Sequence, residues 1–98
     1  MRYFKLTIAE KEYTDDKKID NILLEQGFGW VVDAEIKNAI IEIKYNTIIW
    51  VSGKWFYGDW DYGIFKGGEF HGRFKNGIID GGEIKGAVES GINLIEEE

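Results

Sequence analysis

The sequence contains no cysteine and no proline, and it has a single histidine. Without cysteine there is no disulfide framework, no thiolate metal site and no cysteine nucleophile. One histidine and no cysteine supply too few ligands for a zinc centre, so we expect neither a metal nor a cofactor. No stretch approaches the roughly 20 apolar residues of a membrane-spanning helix, so we expect no membrane association.

A basic surface is also missing. The 98 residues carry a formal net charge of -6, which opposes the phosphate backbone of nucleic acids. We therefore do not expect direct nucleic-acid binding. The start of the chain, MRYFKLTIAEKEYTDD, has no uninterrupted apolar segment of the kind found in secretion signals, which predicts a cytoplasmic protein.

Glycine and aromatic residues are abundant instead, with 13 Gly, 4 Trp, 5 Tyr and 6 Phe. From Trp50 to Val88 they form a repeat of about five residues, in which a glycine precedes a large apolar residue by two positions. A strand alternates sides every two residues and a helix turns every 3.6, so neither keeps this period on one face. Each unit therefore needs a corner, which glycine permits because it has no Cβ. The predicted inward-facing core residues are Trp50, Trp55, Trp60, Phe65, Phe70, Phe74, Ile79 and Ile84.

This small-x-large spacing resembles the pentapeptide-repeat family, and its Trp/Phe-x-x-Gly form is similar to arrays in phage and bacterial proteins. The resemblance covers residues 50–88, or 34–93 if alanine-based units are included. It implies a quadrilateral β-helix with four units in each coil. The chain departs from the family by placing Trp inside and Gly in the small position. The segments 51–58 (VSGKWFYG) and 70–77 (FHGRFKNG) also resemble MORN repeats, which implies β-hairpin units.

The first third of the chain has a different pattern. Residues 2–8 alternate loosely between apolar and polar, which predicts a strand. From Asp16 to Gln26 apolar residues recur at spacings of three and four, which predicts a short helix capped within residues 14–16 and ended by Gly27. The strand-like residues that follow are interpreted either as a hairpin broken at Asn38 or as earlier coil units.

We therefore expect one mainly β domain over residues 1–98. A strand-helix cap (1–30) precedes a β-repeat array (31–93), which forms either a pentapeptide-like β-helix or an antiparallel β meander. An acidic tail (94–98) follows.

No group of residues has the pattern of a catalytic site, and we expect no enzyme activity. A catalytic histidine needs a nucleophile or a carboxylate partner at fixed geometry, whereas His71 follows the inward-facing Phe70 and is expected on the surface. Asp59 and Asp61 flank Trp60, but both fall on the predicted outer face, where nothing apolar would raise the pKa of one carboxyl group. We interpret them as a solvated pair.

The better candidates for binding are aromatic residues outside the repeat register. Phe56, Tyr57 and Tyr62 occupy neighbouring positions in successive units and predict an exposed strip, which either contacts a partner or is covered by the N-terminal helix. Trp30 in the cap is a further candidate. We expect a non-catalytic protein-protein interaction or assembly protein, which the phage resemblance extends to an inhibitor of a host enzyme in the host cytoplasm.

Two expectations concern partners. The end coil of such an array is an unpaired sheet edge, so a homo-oligomer through that edge is expected. The alternative function is a small-ligand binder for a sugar or a nucleotide. Its contacts are drawn from Tyr57, Tyr62, His71 and Arg73.

Overall fold

Strands dominate the fold and the predicted helix lies in the first third, as expected, but it is followed there by a second, four-residue helix that was not predicted. The computed structural model describes residues 1–95, so the predicted acidic tail lies outside the described residues from residue 96 onward. The elements are β1 (Tyr3–Ile8), β2 (Lys11–Tyr13), α1 (Asp16–Glu25), α2 (Gly29–Val32), β3 (Glu35–Lys44), β4 (Thr47–Tyr57), β5 (Asp59–Trp60), β6 (Ile64–Phe65), β7 (Glu69–Phe70), β8 (Arg73–Phe74), β9 (Ile78–Ile79), β10 (Glu83–Ile84), β11 (Ala87–Val88) and β12 (Ile92–Asn93).

Helix α1 begins and ends at the predicted signals. The Asp15 carboxylate accepts a hydrogen bond of 2.9 Å from the backbone N–H of Lys18, which satisfies one of the free donors at the helix start. Gly27 follows the helix at a φ of 88°, a left-handed conformation that glycine adopts without steric cost. The predicted helix is therefore confirmed.

The apolar face of α1 covers the first strand. Ile19 and Leu23 of α1 are fully buried in the same core as Tyr3 and Leu6 of β1, whereas Leu24 is exposed. Strand β1 pairs in parallel with β3, and the two helices make the crossover that parallel pairing needs. The N-terminal third is thus joined to the remaining sheet.

A hairpin of β3 and β4 leads into the repeat, but its turn is not at Asn38. The two strands pair antiparallel up to Lys44 and Thr47, around a two-residue turn. Asn38 instead lies inside β3 at a φ of 54°, where the pairing shifts register. The interpretation of a hairpin is therefore right for this segment, while the position of its turn is wrong. The strand continues past Asn38 because β4 supplies its hydrogen-bond partners on the other side of the irregularity.

From Trp50 onward the chain coils, and each strand pairs in parallel with the strand one turn later. Successive partners are 14 or 15 residues apart, so each turn contains three units rather than the four that the pentapeptide resemblance implied. The coil makes about three turns. We number its sides by their inward-facing residues: side 1 has Trp50, Phe65, Ile79 and then Asn93; side 2 has Trp55, Phe70 and Ile84; side 3 has Trp60, Phe74 and Val88.

The size of the indole rings explains three sides. Trp50, Trp55 and Trp60 make up the first turn, and their ring centroids lie 5.4–6.3 Å apart in all three pairs. Three rings in mutual contact fill the cross-section, because interiors pack without large voids. A fourth unit per turn would separate them.

The interior becomes smaller along the coil axis. Phe65 stacks on Trp50 with ring planes 9° apart, and Phe74 stacks on Trp60 with planes 10° apart. The next layer contains Ile79, which is buried, and Ile84, which is partly buried. Val88 completes that layer and is 48% exposed. The apolar interior therefore opens to solvent towards the C-terminal end.

Glycine is required where the corners of successive turns touch. A Cβ on Gly68 would overlap the carbonyl oxygen of Gly53 in the turn before, and Gly68 also has a φ of 88°. The corner carbonyl of Gly58 accepts a hydrogen bond of 3.0 Å from the buried Trp55 indole. The same corners thus permit the bend and satisfy the polar atom of a core side chain.

We expect Trp60→Ala to lower the free energy of unfolding by about 3–5 kcal/mol, because it removes a fully buried ring that contacts both other rings of the first turn. Tyr62→Ala, two residues later and 58% exposed, is the control and should change it by about 0.5 kcal/mol or less. Chemical denaturation measures both. Equal effects of the two substitutions would contradict the assignment of inside and outside.

Candidate functional site

The corner between sides 2 and 3 has one residue more in the first turn than in the second. Trp55 pairs with Phe70, 15 residues later, whereas Trp60 pairs with Phe74, 14 residues later. The unit that begins at Trp55 therefore has five residues and the unit that begins at Phe70 has four. The extra residue is at the corner, where Tyr57 projects from the coil and is 73% exposed.

An open groove of about 690 Å³ lies beside this corner. We call it the corner groove. Two aromatic residues line it, Trp30 from the N-terminal cap and Tyr57 from the coil. Gly58 and Gly72 form the stacked corners in its wall, and a Cβ on Gly72 would overlap both the Gly58 carbonyl oxygen and the Trp55 indole. Because these two glycines have no side chains, nothing projects from the wall of the groove at this point.

Charged side chains of both signs complete the groove. The acidic residues come from α2's C-terminal cap and from both ends of β5, and the basic residues come from β8 and the positions beside it. They are Asp33, Asp59, Asp61, His71, Arg73 and Lys75.

Arg2 positions Trp30. Its guanidinium donates hydrogen bonds to the carbonyl oxygens of Val32 at 3.0 Å and Ala34 at 2.7 Å, at the end of α2. The free carbonyls at a helix end are thereby satisfied. The short helix is held against the coil, with the Trp30 ring 5.1 Å from the Trp60 ring and nearly perpendicular to it.

The carboxylate of Asp20 links Arg2 to the core. It accepts a hydrogen bond of 2.5 Å from the Tyr3 hydroxyl and lies 3.8 Å from the Arg2 guanidinium. Burial, followed by the hydrogen bond to Asp20, raises the pKa of Tyr3 well above its ordinary value. Tyr3 thus remains a neutral donor to Asp20.

A network of charges covers the outer face of side 2. Glu69 lies 3.1 Å from Lys85, 3.5 Å from Lys54 and 3.8 Å from His71. The hydrogen bond from Lys85 is the largest cause that lowers the pKa of Glu69. The three turns are therefore cross-linked by charge along the axis of the coil.

On side 3, Arg73 forms a close ion pair with Glu89 of the following turn. This pairing raises the pKa of Arg73. Asp59 occupies the equivalent position one turn earlier, since it pairs in register with Arg73. The charge of Arg73 in the corner groove is thus largely compensated by carboxylates.

The structure divides the predicted binding residues into two locations. Tyr57, His71 and Arg73 line the corner groove, and Phe56 stacks on His71 with ring centroids 6.3 Å apart. Tyr62 lies at the next corner, beside Ile64 and Ile78 instead. Phe56, Tyr57 and Tyr62 therefore do not form one continuous strip, because each unit of the coil turns the chain to a new side.

Sequence reasoning also missed some groove residues. Asp59 and Asp61 are exposed, as expected for a solvated pair, but both face the corner groove. The role of Arg2 could not be inferred from the sequence, because its hydrogen-bond partners are carbonyl groups some 30 residues away in the chain. The sequence did contain one indication of the groove, since the unit that begins at Phe70 has four residues instead of five.

The C-terminal end of the coil is a second distinctive surface. In the first two turns the carbonyl oxygen of each inward-facing residue accepts a hydrogen bond from the turn that follows, at 2.7–2.8 Å. Within residues 1–95, no later turn does so for the carbonyls of Ile84, Val88 and Asn93. We call this surface, with the exposed side chains of Ile92 and Leu94, the open end.

Comparison of the chain with models of known protein families, with curated proteins and with solved structures finds no match. The resemblances to the pentapeptide-repeat and MORN families therefore stay predictions. Among residues 1–95, no helix has the length and apolar character needed to cross a membrane. No three His, Asp or Glu side chains of this part of the chain are grouped closely enough to hold a metal ion.

We expect Glu69 to stabilise the fold in a pH-dependent way. Because its pKa is lowered in the folded state, its contribution is complete above the ordinary value of 4.5 and is lost as the pH falls from there through the folded-state pKa. Urea denaturation of the wild type and Glu69→Gln should therefore give a stability difference that shrinks in this acidic range. In a Lys85→Met background the same substitution should show a smaller pH dependence, and an unchanged one would contradict the ion-pair origin.

Proposed function

We propose that this chain is a non-catalytic assembly protein that pairs with a second copy of itself through the open end of the coil. The observation that carries the proposal is the edge of β10, β11 and β12, where within residues 1–95 the carbonyls of Ile84, Val88 and Asn93 have no partner of the kind found in the two earlier turns. Unpaired sheet edges are sites for pairing with another chain.

The apolar side chains at the open end support the burial of this surface in an interface. Val88 is 48% exposed, Ile92 is 59% exposed and Leu94 is 56% exposed. Val88 extends the apolar interior of the coil into its last described turn, while Ile92 and Leu94 flank the inward-facing Asn93 and add apolar surface on the outside of the same turn. Charged residues surround them on the outer faces, including Glu83, whose carboxylate lies 3.3 Å from Lys85. An apolar centre with a polar rim is the arrangement found in protein interfaces.

The shape of the open end favours a second copy over another partner. The edge follows three sides, and only a partner with the same three-sided outline pairs with all three strands at once. Two copies related by a two-fold axis perpendicular to the coil meet this condition, and their edge strands then run antiparallel. Each inward-facing residue would cover its equivalent or a neighbour.

The opposite end of the coil limits the assembly to a closed pair. There β3 pairs with Trp50 and Trp55, and the Trp30 ring lies against Trp55 and Trp60. The start of the first turn is therefore covered, and a second coil cannot stack on it. Pairing through one open end gives a dimer rather than a filament.

The proposal predicts a dimer that one charge disrupts. Light scattering coupled to size exclusion, at concentrations up to on the order of 100 µM, should give twice the chain mass for the wild type. Val88→Lys should give the monomer, because a charge would be buried at the centre of the interface. Leu24→Lys places the same charge on α1, at a residue 54% exposed, and should leave the dimer intact.

Circular dichroism should show that both variants keep the strand signal. If Val88→Lys lowers the melting temperature strongly, Asn93→Lys repeats the test at an exposed residue that lies in register with Ile79 at the open end. A wild-type monomer at every concentration would overturn the proposal. Formation of a stable complex with an added host enzyme by that monomer would favour the expected inhibitor instead.

A further inference from the structure

We propose that the corner groove binds a neutral oligosaccharide, a function separate from the pairing of two copies at the open end. The groove lies between the N-terminal cap and the corner of sides 2 and 3. The residues proposed for pairing, Val88, Ile92 and Leu94, are not among those that line it. One chain would therefore carry both an assembly surface and a ligand site.

The construction of the groove gives it a fixed aromatic wall and an accessible aromatic residue. Trp30 is held by ring contacts with Phe28, Trp55 and Trp60, at centroid distances of 5.1–6.2 Å. Tyr57 is exposed because its unit has one residue more than the unit beneath it. Aromatic rings offer an apolar face with little loss of conformational entropy, which suits the C–H faces of sugar rings.

The charges in the groove disfavour an anionic ligand such as a nucleotide. Three carboxylates line it, those of Asp33, Asp59 and Asp61. Of the two permanent cations there, Arg73 is already in a close ion pair with Glu89. The whole chain adds a net charge of -6. A phosphate group would meet an excess of negative charge, with Glu89 already beside the Arg73 guanidinium.

The same charges also disfavour a metal ion or a strongly cationic ligand. The three aspartates are not grouped as a metal site within the described residues. Lys75 lines the groove together with these acids, so a cation would meet one like charge that is not in an ion pair with Glu89. What remains well matched is a neutral molecule that both donates and accepts hydrogen bonds.

Sugar hydroxyl groups meet this requirement. They donate to the carboxylates of Asp59 and Asp61 and accept from the ammonium of Lys75, without bringing a charge into the groove. The cavity of about 690 Å³ falls in the size range of ligand sites, and its open shape suits one part of a longer chain better than an enclosed monosaccharide. The geometry therefore points to an oligosaccharide.

NMR titration of the full chain with cellotetraose, maltotetraose and chitotetraose tests this inference. At least one of the three should saturably shift the indole N–H signal of Trp30 and the backbone amide signals of Gly58 and Gly72, with a Kd on the order of 1 mM. Tyr57→Ala should weaken that binding about fivefold, since it removes one stacking face.

Tyr62→Ala is the matched control, because it removes the same side chain at the next corner, outside the groove. It should leave the Kd unchanged, and an equal loss in both variants would contradict the site. Absence of saturable shifts with all three sugars, or tighter binding of ATP or spermidine at these signals, would overturn the inference.

Val88→Lys separates this inference from the proposed pairing. This variant should still bind the sugar as a monomer. Loss of sugar binding in this variant would contradict a groove that is complete within one chain.

Discussion

Mutual contact among three indole rings is the constraint on which the rest of this structure depends. Trp50, Trp55 and Trp60 fill the cross-section of the first turn, so the chain has to bend after each of them. The bends bring the backbones of successive turns too close for a Cβ, which explains glycine at the corners. Smaller side chains, first phenylalanine and then isoleucine, replace tryptophan in later turns. The apolar interior therefore becomes smaller along the coil, and at Val88 it is exposed to solvent.

Both proposed surfaces arise from departures from this regular coil. The corner groove exists because one unit has a residue more than the unit stacked on it, which leaves Tyr57 without a counterpart. The open end exists because the described turns stop supplying partners for the carbonyls of the last inward-facing residues. In a coil of identical turns, every side chain has a neighbour above and below. We therefore propose that other molecules bind at the two places that lack such a neighbour.

The N-terminal cap makes the two ends of the coil different. Its Trp30 closes one end of the coil together with strand β3, which follows the cap, and the guanidinium of Arg2 holds α2 in position through three carbonyl groups. The cap also supplies Trp30 to the corner groove. The cap thus helps to cover one end of the coil and also completes the groove. These two roles follow from one packing arrangement, in which the Trp30 ring lies edge-on to Trp60.

The period of five residues and the caps of α1 were readable in the sequence, because inward-facing rings, corner glycines and helix caps are set by neighbours within a few positions. Three properties required the tertiary structure: the three sides of the coil, the turn at Tyr45 and Asn46 rather than Asn38, and the presence of Trp30 and Tyr57 in one groove. The spacing of residues along the sequence indicates that the backbone bends in each unit, but it does not indicate how many bends make up one turn of the coil. That number depends on how three large rings fit together, and it decides which distant residues share a surface.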